Sequence, residues 1–145
     1  MIKLVSDSSI YPVLLDIWES AVKATHDFLY EKDFNFYKNK IKTVYFYEVN
    51  LFVYQDENGL IQGFGGTDSD SLEMLFVHNS YRGKGIGKQL LYYAINQLGI
   101  KRVGVNKQNT QAILFYKKHN FTEQSVSIYD SEGKPYPIIN MILNK

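Results

Sequence analysis

The spacing of apolar positions changes several times along the chain, and each change marks an element. IKLV at 2–5 reads as a short first strand. After the Ser/Asp cluster at 6–9, which is suited to N-capping, Ile10, Val13, Leu14, Ile17, Trp18 and Ala21 recur at helical spacing. A weaker repeat in EKDFNFYKNKIK predicts a second short helix over 33–42. VYFYEVNLFVYQ (44–55) is rich in β-branched and aromatic residues and predicts a strand, with DENG as a turn and LIQGFGGT as its hairpin partner. DSDS makes another turn before LEMLFV, the strand at 72–77. From Gly85, the residues Ile86, Leu90, Ala94 and Leu98 recur every fourth position with Leu91 and Ile95 beside them. That stripe predicts a helix packed on a sheet, ended by Gly99. KRVGVN supplies a strand and TQAILFYKKH a helix opening at Thr110, followed by Asn120, which tolerates a left-handed turn. QSVSIY and YPIINMIL form a last hairpin around DSEGKP. No repeat, linker or low-complexity block intervenes, so 1–145 reads as one domain. The order β-α-α-β-β-β-α-β-α-β-β implies a mixed α/β fold with helices on both faces of the sheet.

A chain of 145 residues can bury roughly 70% of its unfolded surface. Composition adds three constraints. Twelve Tyr and nine Phe beside a single Trp mean that many rings lie in the core or line a concave site. Sixteen Lys and Arg against fifteen Asp and Glu give a net charge of +1, which exerts no general pull on polyphosphates; any anion site is local, and no nucleic-acid partner is expected. The chain has no Cys, which removes disulfides, thiolate nucleophiles and cysteine metal sites; no metal is expected. The N-terminus lacks signal-peptide features and no window approaches 18 uninterrupted apolar residues. The expectation is therefore a cytoplasmic domain without a membrane partner.

The densest chemistry lies in YRGKGIGKQ, at the junction between the 72–77 strand and the following helix. A Walker loop fails on spacing, since Gly83 to Gly87 leaves three residues and Gln89 follows Lys88. The dinucleotide fingerprint fails because Gly83, Gly85 and Gly87 do not fit G-x-G-x-x-G. What remains is R-x-x-G-x-G from Arg82 to Gly87. Glycines let backbone N–H groups turn inward, and the helix N-terminus adds about half a positive charge. Arg82, Lys84 and Lys88 flank this cradle, which suits a pyrophosphate. The competing structural reading is a glycine-rich turn packed tightly on the sheet, with solvated cations around it.

LEMLFVHNSYRGKGIGKQLL resembles motif A of the GNAT superfamily of acetyl-CoA-dependent N-acetyltransferases, and NTQAILFYKKHNF (109–121) resembles its second signature, N-x-x-A-x-x-F-Y-x-x-x-G-F. WESAVKATHDFL and GKPYPIINM further resemble a small bacterial subgroup of uncharacterised acetyltransferases. The resemblance implies a GNAT fold with a mixed, mostly antiparallel seven-stranded sheet, and acetyl transfer to a primary amine in a ternary complex. It implies that the strands at 72–77 and 103–106 splay apart around the pantetheine arm. Backbone groups of Leu75, Phe76 and Val77 would lie against that arm. The N–H groups of Gly83, Lys84, Gly85, Ile86, Gly87 and Lys88 would meet the pyrophosphate. Asn109, Phe115 and Tyr116 would border the thioester.

Tyr116 occupies the family's Tyr position and is the expected general acid for the leaving sulfur, since a phenol with a pKa near 10 is protonated at neutral pH. Some relatives carry a Glu base where this chain has Gly104. Glu73, a water chain or His26 remain for that role, with ordinary strand-face charge as the alternative for Glu73. His78 reads as a loop residue and His119 as a surface one. His26, Phe28, Trp18 and Tyr136 are candidates for the acceptor wall, and core packing is the alternative for Trp18. The departure from Gly to Asn120 in the second signature is compatible with the same turn. Acetyl-CoA and an amine acceptor are the expected partners, with a monomer or homodimer as the assembly. A non-catalytic acyl-CoA-binding module or sensor is the alternative function.

Overall fold

The computed structural model describes residues 1–144. The chain divides into two compact units, Met1–Ile100 and Lys101–Lys145. The first holds β1 (Ile2–Leu4), α1 (Tyr11–Thr25), α2 (Glu31–Lys40), α3 (Phe46–Glu48), β2 (Asn50–Gln55), β3 (Ile61–Asp68), β4 (Ser71–Val77) and α4 (Ile86–Leu98). The second holds β5 (Arg102–Asn106), α5 (Thr110–Lys118), β6 (Phe121–Ser127) and β7 (Ile138–Leu143). No helix among the described residues is long and apolar enough to cross a membrane.

In the first unit the strands pair antiparallel in the order β1-β2-β3-β4. Alternation along β3 assigns one helix to each face. Phe64 points into a core with Leu14, Ile17, Trp18 and Val22 of α1 and Met74 of β4. One residue earlier, a Cβ on Gly63 would meet Leu90 and Ile86 of α4 at 3.1 and 3.2 Å. Gly65, two residues on, has no room for a Cβ at all, because the Phe52 ring occupies that volume. The ring of Phe52 in turn lies 5.3 Å from that of Tyr93 on α4. These glycines therefore let α4 and an aromatic ring press directly onto the sheet.

The α1 stripe buries Leu14, Ile17, Trp18 and Ala21 as its spacing predicts, but Val13 is 43% exposed, lying just outside the covered arc. A 3-10 turn at Ser8–Ile10 precedes α1, capped by Asp7, whose carboxylate accepts from the Ser9 N–H at 2.8 Å. The strand expected over 44–55 begins only at Asn50. Ile41–Tyr45 forms a π-helical turn that runs into α3, with the Phe46 N–H bonded to the Ile41 carbonyl. The reason is burial. Five-residue spacing brings Ile41 and Phe46 onto one face, and both enter the α1-side core.

In the second unit the order is β5-β7-β6, again antiparallel. Asn109 caps α5, its side-chain oxygen accepting from the Ala112 N–H at 3.2 Å. Asn120 takes the left-handed conformation (φ 76°) expected after that helix.

Overpacking at Gly65 is the clearest test of this layering. Gly65→Ala is expected to lower stability by about 1–3 kcal/mol, read as a lower urea midpoint at unchanged slope. Gly59→Ala, whose Cβ would meet nothing within 4 Å, costs only the strain of its φ of +83°. A Gly65→Ala protein as stable as the wild type would contradict this packing.

Candidate functional site

Between β4 and α4 the backbone runs through a 3-10 turn at Asn79–Tyr81 and then two left-handed glycines, Gly83 (φ 78°) and Gly85 (φ 80°). A Cβ at either would meet nothing within 4 Å. These glycines serve backbone conformation at an open surface, which removes the tight-packing reading for Gly83 and Gly85. Gln89 is the first residue whose N–H finds an acceptor, the Gly85 carbonyl at 3.1 Å. The N–H groups from Gly83 to Lys88 have no acceptor among the described residues. Exposed Arg82, Lys84 and Lys88 surround them, with the Lys84 ammonium 5.5 Å from the centre of the Tyr81 ring. The residues present thus fit a pyrophosphate: donors without partners, unobstructed space and positive charge.

Two contacts hold this turn that the sequence did not announce. The Asn79 N–H donates to the Ser20 hydroxyl on α1 at 3.0 Å, and the Ser80 N–H donates to His78 Nδ1 at 3.1 Å. His78 is a cap. On β4, Gly63 pairs with Val77 and Gly65 with Leu75, so Val77 and Leu75 share the α4 side of the sheet while Phe76 and Met74 share the other; Glu73 sits where the register shifts. Leu75, Phe76 and Val77 are half-buried and Glu73 is exposed.

The α1–α2 connection carries His26 and Phe28, with ring centres 5.2 Å apart. His26 lines a cavity of about 430 Å³ with Glu19, Val22, Lys23, Leu29, Glu31 and Phe34. Burial pushes the imidazole pKa down from 6.5 to about 4, against the opposing pull of Asp27. Glu19 is held below the usual carboxylate range by its hydrogen bond to Lys38 at 2.8 Å. Trp18 is a core residue, 4% exposed and stacked on Phe34 at 5.2 Å. A larger cavity of about 900 Å³ flanks the N-terminal half of α1 and the π-helical turn, and includes none of the residues the sequence singled out.

In the second unit Tyr116 is 7% exposed, its ring packed against Phe115 and Phe121 at 5.2 and 5.6 Å. Its hydroxyl makes no hydrogen bond among the described residues and is not sealed from solvent. Burial raises its pKa above the ordinary phenol value, so the group is protonated across the physiological range. His119, expected at the surface, is 9% exposed; its ring packs edge-on against Phe115 at 4.8 Å as it closes α5. Tyr136 is buried in the 128–137 loop, where the Asp130 carboxylate gathers the N–H groups of Glu132 and Lys134, each at 2.9 Å. At Gly104 a Cβ would meet Ile138 at 3.1 Å, so a longer side chain there requires Ile138 to move. No cluster of three or more His, Asp or Glu suited to a metal occurs among the described residues.

An open amide cradle at a strand-to-helix turn, on this mixed α/β fold of seven mostly antiparallel strands, is the architecture of an acyl-CoA-dependent acetyltransferase, and the chain belongs to the GNAT acetyltransferase family. The family model for the acetyltransferase (GNAT) domain matches residues 47–123. The chain is 36% identical over 132 residues to the peptidyl-lysine N-acetyltransferase YjaB of Salmonella typhimurium, covering 89% of this chain and 88% of that protein. It is also similar to the solution structure of apo-form YjaB from Escherichia coli, with TM-score 0.87, 31% identity and 98% and 97% coverage. The PaiA N-acetyltransferase of Thermoplasma acidophilum, solved in complex with coenzyme A, shares the fold at TM-score 0.75 and 18% identity, with 99% of each chain covered. The protein is accordingly a GNAT N-acetyltransferase, and enzymes of this family use acetyl-CoA.

The depressed His26 pKa has a consequence for stability. Between pH 6.5 and about 4 the unfolded chain binds a proton at His26 that the folded chain refuses, so stability falls as pH drops through that window. His26→Gln is expected to flatten this part of the thermal midpoint against pH. Parallel curves for the two proteins would contradict it.

Proposed function

We propose that this enzyme transfers the acetyl group of acetyl-CoA to the side-chain amine of a peptidyl lysine, by direct attack in a ternary complex. The observation that carries the cofactor half is the run of partnerless amides from Gly83 to Lys88 on an open glycine turn. The acceptor half is supported by the names of the Salmonella and Escherichia coli relatives, which act on peptidyl lysine.

Each residue then has a task. The 83–88 amides bind the pyrophosphate, with Arg82, Lys84 and Lys88 adding charge. Backbone groups of Leu75, Phe76 and Val77 orient the pantetheine arm, while Asn109 and Phe115 border the thioester. The amine nitrogen bonds to the acetyl carbon, the carbonyl becomes a tetrahedral oxyanion, and its collapse breaks the C–S bond. The electron pair goes to sulfur, where the Tyr116 hydroxyl donates. Burial penalises a Tyr116 phenolate, so the phenol gives up its proton only as the proton leaving the amine replaces it. Exposed Glu73 takes the other proton, the one an incoming ammonium must lose before its nitrogen can attack, with water as the relay to it. Phe28 supplies aromatic surface to the acceptor, whereas Trp18 and Tyr136 are buried, each 4% exposed. The reaction takes place in the cytoplasm.

One observation favours the second reading, an acyl-CoA sensor without turnover: Gly104 offers no carboxylate, and Ile138 crowds the place one would need. Thiol release from acetyl-CoA with a lysine peptide separates the two. Tyr116→Phe is expected to lower kcat about 10²–10⁴-fold, with CoA affinity unchanged. Its thermal midpoint should also be unchanged, because the hydroxyl bonds no other group among the described residues. Full activity in this variant would remove the acid role, and CoA binding with no turnover in the wild type would establish the sensor. In the wild type, no alkaline limb from Tyr116 is expected below about pH 10, since its pKa is raised above the ordinary value.

A further inference from the structure

Two side-chain contacts fasten α2 and the turn after it to α1. Lys38 Nζ lies 2.8 Å from a Glu19 carboxylate oxygen, and the Tyr11 and Phe46 rings lie 5.1 Å apart. Tyr11 and Glu19 are eight residues apart, as are Lys38 and Phe46, so the two segments run antiparallel with about 12 Å of helix between the contacts. Along this stretch lies the cavity of about 900 Å³, a volume within the range of small-ligand sites. The π-helical turn at Ile41–Tyr45 supplies part of its wall, and such turns recur at functional sites. Ile41 enters the core, while Lys42 and Thr43 stay exposed and line the cavity.

The antiparallel register sorts the lining by chemistry. Asp16, Lys38 and Lys42 gather towards the Lys38–Glu19 contact, and Tyr11, Pro12, Phe46 and Tyr47 towards the other end, with Leu15 between them. Tyr47 stands edge-on to Tyr11 at 5.1 Å and is 66% exposed, which leaves aromatic surface open to a ligand. Glu19 spends its charge on Lys38, whereas the Asp16 and Lys42 side chains have no hydrogen-bond or ion-pair partner among the described residues. Charges of both signs therefore stand unpaired beside one apolar channel. The hydroxyls are as selective. Tyr11 donates to the Phe46 carbonyl at 3.2 Å and Thr43 to the Asn39 carbonyl at 2.8 Å. A carbonyl can only accept, so each hydroxyl has spent its hydrogen and offers a ligand only an acceptor. Thr43 thus joins Asp16 as an acceptor beside the donors of Lys42. A simple anion would meet Asp16 and a simple cation would meet Lys42, but a group carrying both charges satisfies both.

We propose that this cavity binds a free α-amino acid with a large apolar or aromatic side chain. Its ammonium meets Asp16 and the Thr43 oxygen. Its carboxylate meets Lys42 and an N–H of Lys38, whose ammonium has two hydrogens beyond the one given to Glu19. Its side chain lies along Leu15 and Pro12 towards the rings of Tyr11 and Tyr47. The site is separate from the amide cradle, because none of its lining residues lies in 72–88. Tyr11 also stands nine residues, about 14 Å of helix, from Ser20, where α1 touches the turn that leads into the cradle. The amino acid is therefore bound without being acetylated.

Backbone ¹H–¹⁵N spectra recorded during a titration with L-phenylalanine test the site. Saturable shifts confined to 8–16 and 38–47 are expected, with Kd of about 10 µM to 1 mM. L-phenylalaninamide lacks the carboxylate and N-acetyl-L-phenylalanine lacks the ammonium, so they stand for the first and last residues of a peptide. Both should bind about tenfold more weakly or worse, as should glycine, which is the head group alone. Asp16→Asn and Lys42→Gln, both at exposed positions, should each weaken L-phenylalanine about tenfold at unchanged KM for acetyl-CoA. The absence of a saturable shift below about 10 mM overturns the proposal. So does equal binding of either analogue, or a response centred on the 83–88 amides. Acetylation of L-phenylalanine that Lys42→Gln abolishes would make this cavity the acceptor site and overturn its separation from the transfer chemistry.

Discussion

A backbone that leaves a strand and enters a helix through left-handed residues turns its first amides away from any carbonyl of its own. From Gly83 to Lys88 those donors have no partner among the described residues, and a Cβ at Gly83 or Gly85 would meet nothing within 4 Å. Unsatisfied donors at an exposed helix start are tolerable because water can reach them, and they gain most from a polyanion that brings several oxygens at once. With a net charge of +1 over the whole chain, this local arrangement, and not a general field, is what can hold a pyrophosphate.

The surrounding unit keeps that turn in shape. Gly63 and Gly65 let α4 and the Phe52 ring lie against β3, which fixes where α4 begins. Ser20 and His78 take up the N–H groups of Asn79 and Ser80, so the chain reaches Gly83 already anchored. The opposite face of the sheet is covered by α1, whose C-terminal end carries Thr25 and His26. The Ser20 contact thereby ties that helix to the turn that leads into the cradle.

Local signals in the sequence were the ones that carried through. The helix stripe from Ile86, the stop at Gly99, the cap at Asn109 and the left-handed Asn120 each depend on a few neighbouring residues, and each takes the form its spacing implies. The amide cradle was legible for the same reason. What failed was set by distant packing. Val44–Glu48 has strand-like composition, yet Ile41 and Phe46 reach the core only if the chain coils through a π-helical turn. His119 looks like a surface residue in sequence and is buried by the Phe115 ring one helical turn before it. The short contacts of the Thr25 hydroxyl with the Ala21 carbonyl and His26 Nδ1 are invisible without coordinates, since nothing in ATHD fixes where the hydroxyl points.

Backbone ¹H–¹⁵N spectra recorded during a CoA titration ask whether the amides from Gly83 to Lys88 donate to the pyrophosphate. Downfield proton shifts concentrated in those amides are expected, with a smaller response to pantetheine, which lacks the pyrophosphate. Binding of CoA that leaves the 83–88 amides unmoved would contradict that role.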